Sequence, residues 1–238
     1  PGSFLGIFEP LRDMFAASGA AKERGWKAGD FSFLSKDGRC PECNGSGFHE
    51  ISMDYWTDAK VLCETCRGSR YRSGIEEVKV DGLSIAELLK LSFAELRPFL
   101  EKNLSGKDRV KVLRAITLAE KTGLDYLSAG QPLHTLSAGE LQRLKLAAGI
   151  AEGGSEDTLY ILDEPTGGLH RRDIARLLSL FDEIIGEGGS ILCITHEPLL
   201  LEAADHVIEL GPGAGKKGGK IVRGGELSSY KVNGGGLE

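Results

Sequence analysis

No apolar run in these 238 residues approaches the roughly 18 that a membrane-spanning helix needs. There is no basic start followed by an apolar core and a small-residue cleavage site, so no secretory leader is legible. Excess positive charge is absent too: 29 Lys+Arg against 35 Asp+Glu give a net charge of −6. That balance excludes whole-surface binding to nucleic acid and leaves room for a local basic patch. With 41% hydrophobic and 27% charged residues, the chain is not short of core-forming side chains, which excludes wholesale disorder. The length suits one large or two small domains.

Glycine is the residue in excess. Its 33 copies are about twice the ordinary ~7% share. Glycine weakens the interior of helices and strands, so the surplus belongs in turns, metal knuckles or phosphate loops. The chain starts at Pro1 without a Met and ends Gly234-Gly235-Gly236-Leu237-Glu238. The trimmed start points to a piece of a longer protein, and the terminal Leu-Glu reads as an expression scar.

The five cysteines are unevenly spread. Cys40, Cys43, Cys63 and Cys66 fall within 27 residues, and Cys193 stands alone. Without a secretory leader, two C-x-x-C units read as metal ligands rather than disulfides, which places the chain in the reducing cytoplasm. Each unit is followed by a glycine, Gly45 and Gly68, suited to a tight turn that aims backbone N–H groups at sulfur. Four thiolates make a closed tetrahedral site, which favours structural Zn²⁺ over a catalytic metal. The alternation Ile51-Ser52-Met53-Asp54-Tyr55, followed by Thr57-Asp58-Ala59, predicts a hairpin with its turn at 57–59. From Lys27 to Arg72, seven basic residues balance seven acidic ones. Arg67, Arg70 and Arg72 nevertheless cluster with Tyr71 beside the second knuckle, and a phosphate and stacking patch and a solvated face both suit them. Lys60, Arg67 and Arg70 are the candidate DNA contacts.

The rest of the chain reads as alternating elements. Phe8 to Ala17 is an amphipathic helix and Ile75 to Val80 a strand. Ser84 with Glu87 and Ser92 with Glu95 are capping boxes that open two helices, the second kinked or shortened by Pro98. Asp108 to Lys121 is a basic helix ending before Gly123. Leu159-Tyr160-Ile161-Leu162 and Ile191-Leu192-Cys193-Ile194 are short continuous apolar runs, as expected of buried strands, and Cys193 reads as a small core residue. Between them Ile174, Leu177, Leu178, Phe181, Ile184 and Ile185 share one helical face. Strand, helix, strand implies a parallel sheet. His206 to Leu210 and Lys220 to Arg223 add further strands.

The chemistry collects at the ends of these elements. Asp163 and Glu164 follow the first apolar strand, at the sheet edge where parallel sheets bind ligands. Asp163 suits Mg²⁺, and Glu164 suits a general base toward water attacking a γ-phosphate. His196 follows the second strand and falls beside them. Upstream, Ser137 and Glu140 form a capping box with Ala138 and Gly139 between them. Small residues at a helix N-terminus also make an anion site. The other histidines, at 49, 134, 170 and 206, default to structural or solvent roles. The one stretch resembling a phosphate loop, Gly211 to Lys217, has its first glycine one residue too close to Gly215-Lys216 and Lys217 where Ser or Thr is needed. It reads as a glycine-rich turn.

Leu136-Ser137-Ala138-Gly139-Glu140-Leu141-Gln142-Arg143, then Leu162-Asp163-Glu164-Pro165-Thr166-Gly167-Gly168-Leu169-His170, then Thr195-His196, resemble in order the signature, Walker B, D-loop and H-loop of ABC-type ATPases. With the cysteine module placed ahead of the signature, and with Gly38-Arg39-Cys40, Ala129-Gly130-Gln131-Pro132 and Leu210-Gly211-Pro212, the chain resembles the C-terminal part of the UvrA family from about Phe4 to Gly225. These are the damage-recognition ATPases of bacterial nucleotide excision repair.

The resemblance implies an α/β fold, a partial ABC-type nucleotide-binding domain with a parallel sheet and flanking helices. An inserted helical signature domain would carry the four-cysteine zinc module. The expected boundaries are 1–135 for the signature side, with the module at about 38–72, and 136–238 for the ATPase subdomain. It implies Asp163, Ser137, Gly139 and Glu140 as nucleotide-binding residues, Glu164 and His196 as catalytic ones, and ATP with Mg²⁺ as ligands of the full-length protein. It also implies double-stranded DNA, a P-loop half of the same protein, a second copy in a homodimer and a UvrB-type subunit as partners. The strand incisions belong to those partner subunits.

Three departures stand out. Ala138-Gly139 replaces the usual Gly-Gly, Thr166-Gly167-Gly168 the usual Thr-Thr-Gly, and Thr195-His196-Glu197 the usual Glu-His-Asn. They suit a divergent paralogue, for example one giving resistance to a DNA-damaging compound. A contrasting reading comes from Cys40-Pro-Glu-Cys43-Asn44-Gly45-Ser46-Gly47, which resembles a repeat of the chaperone DnaJ and implies a protein-binding zinc module without enzymology. Only two of the four repeats that family needs are present, and Asp163-Glu164 stays unexplained.

Overall fold

A computed structural model describes residues 1–53, 56–153, 156–211, 213, 218–227, 232–233 and 236–237. Most of the glycine-rich stretch 211–217, the lookalike phosphate loop, falls outside the described residues.

The first helix, α1 (Phe8–Ala17), has the expected bounds and buries Phe8, Leu11 and Phe15. A short α2 (Gly19–Glu23) follows, capped by the Ser18 hydroxyl, which accepts from the Ala21 N–H. The hairpin between the cysteine pairs is present as β1 (Phe48–Met53) antiparallel to β2 (Trp56–Leu62). Its turn is not where the composition of 57–59 suggests. Met53 pairs with Trp56, so the chain reverses between them and Thr57-Asp58-Ala59 lies within β2. Cross-strand pairing overrides the local turn preference of Asp. Asp54 and Tyr55 lie outside the described residues.

The strand expected over 75–80 is split. Ile75–Glu77 forms one 3-10 turn after Gly74, whose φ is +90°. Only Lys79–Val80 (β3) is extended, and it pairs with Leu83–Ser84 (β4). Asp81 and Gly82, both at positive φ, make the tight reversal between them. Both capping boxes are complete, at the starts of α3 (Ile85–Leu88) and α4 (Phe93–Asn103). Pro98 does not shorten α4. The missing N–H costs one helical bond, and burial of Phe93, Leu96, Phe99 and Leu100 on both sides of it holds the helix together. Helix α5 (Gly106–Lys121) ends as expected, with Gly123 at φ +69°.

Helix α6 (Ala138–Gly153) packs along α5. The βαβ unit follows as β5 (Leu159–Asp163), α7 (Arg171–Gly186) and β6 (Ser190–Ile194), with β5 and β6 parallel and Asp163 opposite Ile194. Leu180 takes a buried place on α7, whereas Ile185 turns outward. Helix α8 (Pro198–Ala203) leads to the antiparallel pair β7 (His206–Gly211) and β8 (Lys220–Glu226). A two-residue pairing, β9 (Val232–Asn233) with β10 (Gly236–Leu237), closes the described chain. One hydrophobic core runs from Leu5 to Leu200 and joins the helices to one face of β5 and β6. The other face is bare: Ile161 is 64% and Ile194 57% exposed. No described helix is long and apolar enough to cross a membrane.

Candidate functional site

The four cysteines of the two knuckles are buried, and their sulfurs all lie within 4.8 Å of one another. Cys40 and Cys63 Sγ are 3.9 Å apart, and Cys43 and Cys66 Sγ 3.6 Å. A tetrahedron of ~2.3 Å metal–sulfur bonds has edges of ~3.8 Å, so the cluster has the dimensions of a four-thiolate metal site. The glycines do what their spacing suggests. Gly45 sits at φ +83°, and a Cβ there would stand 2.1 Å from the Phe33 carbonyl. The Gly47 N–H donates to Cys43 Sγ at 3.3 Å. Burial pushes the Cys43 thiol up, yet the Gly47 N–H, the Cys66 thiol and the Gly45 N–H outweigh it and bring the group down to about 6. Burial pushes Cys66 up to about 12 and Cys40 upward as well.

The module packs onto the helices through aromatic edges. The Phe33 ring lies 5.3 Å from Phe8 and 5.9 Å from Tyr71. Tyr71 is 2% exposed and donates to the Phe31 carbonyl, so it is a core residue and not the stacking platform its neighbours suggested. The three basic candidates part ways. Arg67 is exposed, at φ +48°, with no side-chain partner among the described residues. Lys60 lies over the Phe48 ring and contacts Glu50 at 3.7 Å and His134 Nε2 at 3.1 Å. Arg70 donates from Nε to the Gly45 carbonyl at 2.8 Å and from Nη1 to the Gly130 carbonyl at 3.0 Å. Arg72 is held by Asp30 at 2.8 Å.

The second site lies at the ends of β5 and β6. Asp163 is exposed at the tip of β5. Glu164 has φ +46°, and its N–H donates to the Ile194 carbonyl at 2.8 Å, which clamps the turn to the neighbouring strand. His196 Nδ1 lies 2.8 Å from Glu164 Oε1. That hydrogen bond, then the carboxylate charge, raises the His196 pKa. Cys193, half-buried on β6, pairs with Leu162; burial, then the Glu164 and Asp163 charges, pushes its thiol up to about 11. His170 caps α7 by accepting from the Arg172 N–H.

The Ser137 helix start is tied to this sheet edge. Glu140 accepts from the Ser137 N–H and hydroxyl, at 2.7 and 2.8 Å, and the Ser137 hydroxyl accepts from the Glu140 N–H. Tyr126 also donates to Glu140, and this bond leads the causes that hold the carboxyl below the usual range. Arg143, one turn further on, is 2% exposed and donates to the carbonyls of Pro165 at 3.1 Å and Gly167 at 3.0 Å. With its amide turned to match donors and acceptors, Gln142 bonds both backbone groups of Asp163. A Cβ at Gly139 would stand 2.9 Å from the Gly167 carbonyl, so any larger residue there pushes on that turn. Ala138 is exposed, and its methyl meets no such obstacle. Sequence reasoning gave Gln142, Arg143 and Tyr126 no role. The i, i+3, i+4 spacing of Gly139, Gln142 and Arg143 on one helical face was the available signal.

A strand end carrying adjacent carboxylates, a histidine after the next parallel strand and a capped helix start tied to the same turn thus meet at one sheet edge. Over most of its length the chain is similar to UvrA proteins. It is 42% identical over 222 residues to UvrABC system protein A of Streptococcus pyogenes serotype M1, covering 93% of this chain and 23% of that relative. The same protein of Oceanobacillus iheyensis is 42% identical, with 93% and 22% covered. The crystal structure of UvrA2 from Deinococcus radiodurans superposes with a TM-score of 0.84 at 36% identity, over 93% of this chain and 26% of that one. A family model described as an AAA domain, putative AbiEii toxin of a type IV toxin–antitoxin system, matches residues 87–202. The chain therefore spans about a quarter of the length of the curated relatives it matches.

Proposed function

We propose that this chain is the signature and Walker B side of an ABC ATPase that recognises DNA damage in nucleotide excision repair, coupling ATP binding and hydrolysis to DNA binding. The observation that carries this reading is the Glu164–His196 pair at 2.8 Å beside Asp163 on one parallel sheet edge. In this reading Asp163 holds Mg²⁺, which neutralises phosphate charge when bound. Glu164 takes the proton of the attacking water, and His196, bonded to Glu164, orients that carboxylate. Gly139, at the start of α6, presents its backbone N–H to the γ-phosphate of a nucleotide held by another half, Ser137 turns its hydroxyl from Glu140 to the same phosphate, and Glu140 keeps the Ser137 N–H capped.

The bare face of β5 and β6 supports a nucleotide-binding domain completed by a P-loop half of the same protein. The proposed division is 1–135 for the signature side, with its module at about 38–72, and 136–238 for the ATPase side. The four cysteines hold one structural Zn²⁺, which supplies a closed crosslink between the two knuckles. Arg67 is the basic residue best placed for a DNA phosphate. Further partners are a second copy of the full-length protein and a UvrB-type subunit, in the cytoplasm. The departures at Ala138, Gly167 and Glu197 favour, as a second reading, a paralogue that protects against a DNA-damaging compound.

The test is Glu164→Gln in the full-length protein, which keeps nucleotide binding and abolishes phosphate release. The chain by itself releases phosphate only at background. Steady turnover by the chain alone, lost in Glu164→Gln, overturns the division into half-sites.

A further inference from the structure

Arg70 stands between the cysteine cluster and the turn that leads into α6. Its backbone borders the cluster: the Arg70 carbonyl accepts from the Cys40 N–H at 2.9 Å. Its side chain leaves the cluster. Nε reaches the Gly45 carbonyl of the first knuckle, and Nη1 reaches the Gly130 carbonyl, 60 residues away in sequence. The guanidinium lies 3.7 Å from the centre of the Phe33 ring. A planar fork bonded on two sides and stacked on a ring defines a position that a lysine cannot reproduce. The residue also holds φ +76°, a conformation that only glycine adopts freely.

Gly130 opens the short stretch that ends at Ser137. This stretch is closed on itself by Gln131 Nε2 to Thr135 Oγ1 at 3.0 Å, Thr135 N–H to the Pro132 carbonyl at 3.1 Å and Leu136 N–H to the Leu133 carbonyl at 3.1 Å. At its start the Gly130 N–H donates to the Leu89 carbonyl at 2.7 Å, so the Arg70 guanidinium on the Gly130 carbonyl is the second of two ties where this stretch leaves the helices. Lys60 gives a further tie from the hairpin, to His134. Two of the three basic residues that the sequence offers to DNA thus reach this stretch, Arg70 from a part-buried position and Lys60 across the surface.

We propose that Arg70 is a positioning residue that transmits the state of the cysteine cluster to the start of α6. With the knuckles closed, Gly45 and the Arg70 backbone fix the guanidinium, and the guanidinium fixes Gly130. With the knuckles open, Gly130 loses its donor and the 130–137 stretch loosens. The proposal rests on the metal reading for what closes the knuckles, but the Arg70–Gly130 tie stands apart from it.

Amide hydrogen exchange on this chain tests it, in the wild type, Arg70→Lys and Arg67→Ala, each loaded with zinc and after chelation. Arg70→Lys, with zinc still bound stoichiometrically, speeds exchange at Thr135, Leu136 and Leu141 by about 10-fold or more, as expected when a local opening loses its restraint. Chelation does the same in the wild type and adds nothing further in Arg70→Lys. Arg67→Ala behaves as wild type. Wild-type exchange in zinc-loaded Arg70→Lys overturns the proposal, as does an equal effect of chelation in both proteins. A wild type that binds no zinc refutes the metal reading alone, and oxidation of the four thiols then replaces chelation in the same comparison.

Discussion

Arg143→Met measures how firmly the signature helix is joined to the turn after β5. The arginine is among the largest fully buried side chains, and it spends its charge on two carbonyls, those of Pro165 and Gly167. Methionine keeps much of the aliphatic volume and removes both donors. Hydrogen bonds from a charged group contribute ~1.5–3 kcal/mol each, and a buried acceptor left bare carries its full desolvation cost. Gly167 is exposed, so water replaces the donor there; Pro165 is buried, and its carbonyl is left without one. Against this, Arg143 Nε is buried without a partner, so removing the guanidinium relieves a polar group that was already unsatisfied. The balance is a loss of about 2 kcal/mol, well below the ~3–5 kcal/mol of an abruptly broken buried ion pair. Urea denaturation with an unchanged m-value reads it directly. Gly139→Ala pushes on the same Gly167 carbonyl, so the two changes couple by at least ~0.5 kcal/mol in a double-mutant cycle. A methionine variant within ~0.5 kcal/mol of wild type, or strict additivity with Gly139→Ala, refutes the strut.

Metal analysis finds one zinc per chain. Its removal frees residues 40–70 in hydrogen exchange, while Phe31, Phe33 and Tyr71 stay packed and β5–α7–β6 is untouched; a chain without stoichiometric zinc contradicts this. The His196 imidazole titrates above its ordinary 6.5 by NMR, and Glu164→Gln returns it to the ordinary range. Because the folded pKa is the raised one, the pair's contribution to stability is fully present below the unfolded value and is lost as pH rises through the folded midpoint. An unshifted midpoint in the wild type removes the pair from solution. Arg67→Gln in the full-length protein weakens DNA binding and flattens its salt dependence by about one charge, whereas an unchanged slope returns Arg67 to a solvated face.

Much of the fold and part of the site were legible in the sequence because they depend on neighbours. The capping boxes at Ser84, Ser92 and Ser137 each close within three residues. The C-x-x-C-x-Gly units dictate their own turns, and strand, helix, strand in about 35 residues leaves little choice but a parallel pair. The order of Ser137, Asp163, Glu164 and His196 placed three of them at one sheet edge by topology alone.

Tertiary structure decided what depends on distant partners. Lys60 and Arg70 carry the same charge as Arg67 in sequence, yet they reach His134 and Gly130, 74 and 60 residues away, Lys60 across the surface and Arg70 from a part-buried position. Arg143 finds its carbonyls 22 and 24 residues downstream. Thr57-Asp58-Ala59 became strand because β1 lies beside it, and Pro98 stayed helical because the residues around it are buried. Capping and turn formation balance within one or two turns of chain, so a short window of sequence holds both donor and acceptor. A buried guanidinium is stable only where the fold delivers carbonyls to it, and those carbonyls belong to every residue type alike, so no side-chain pattern marks them in advance.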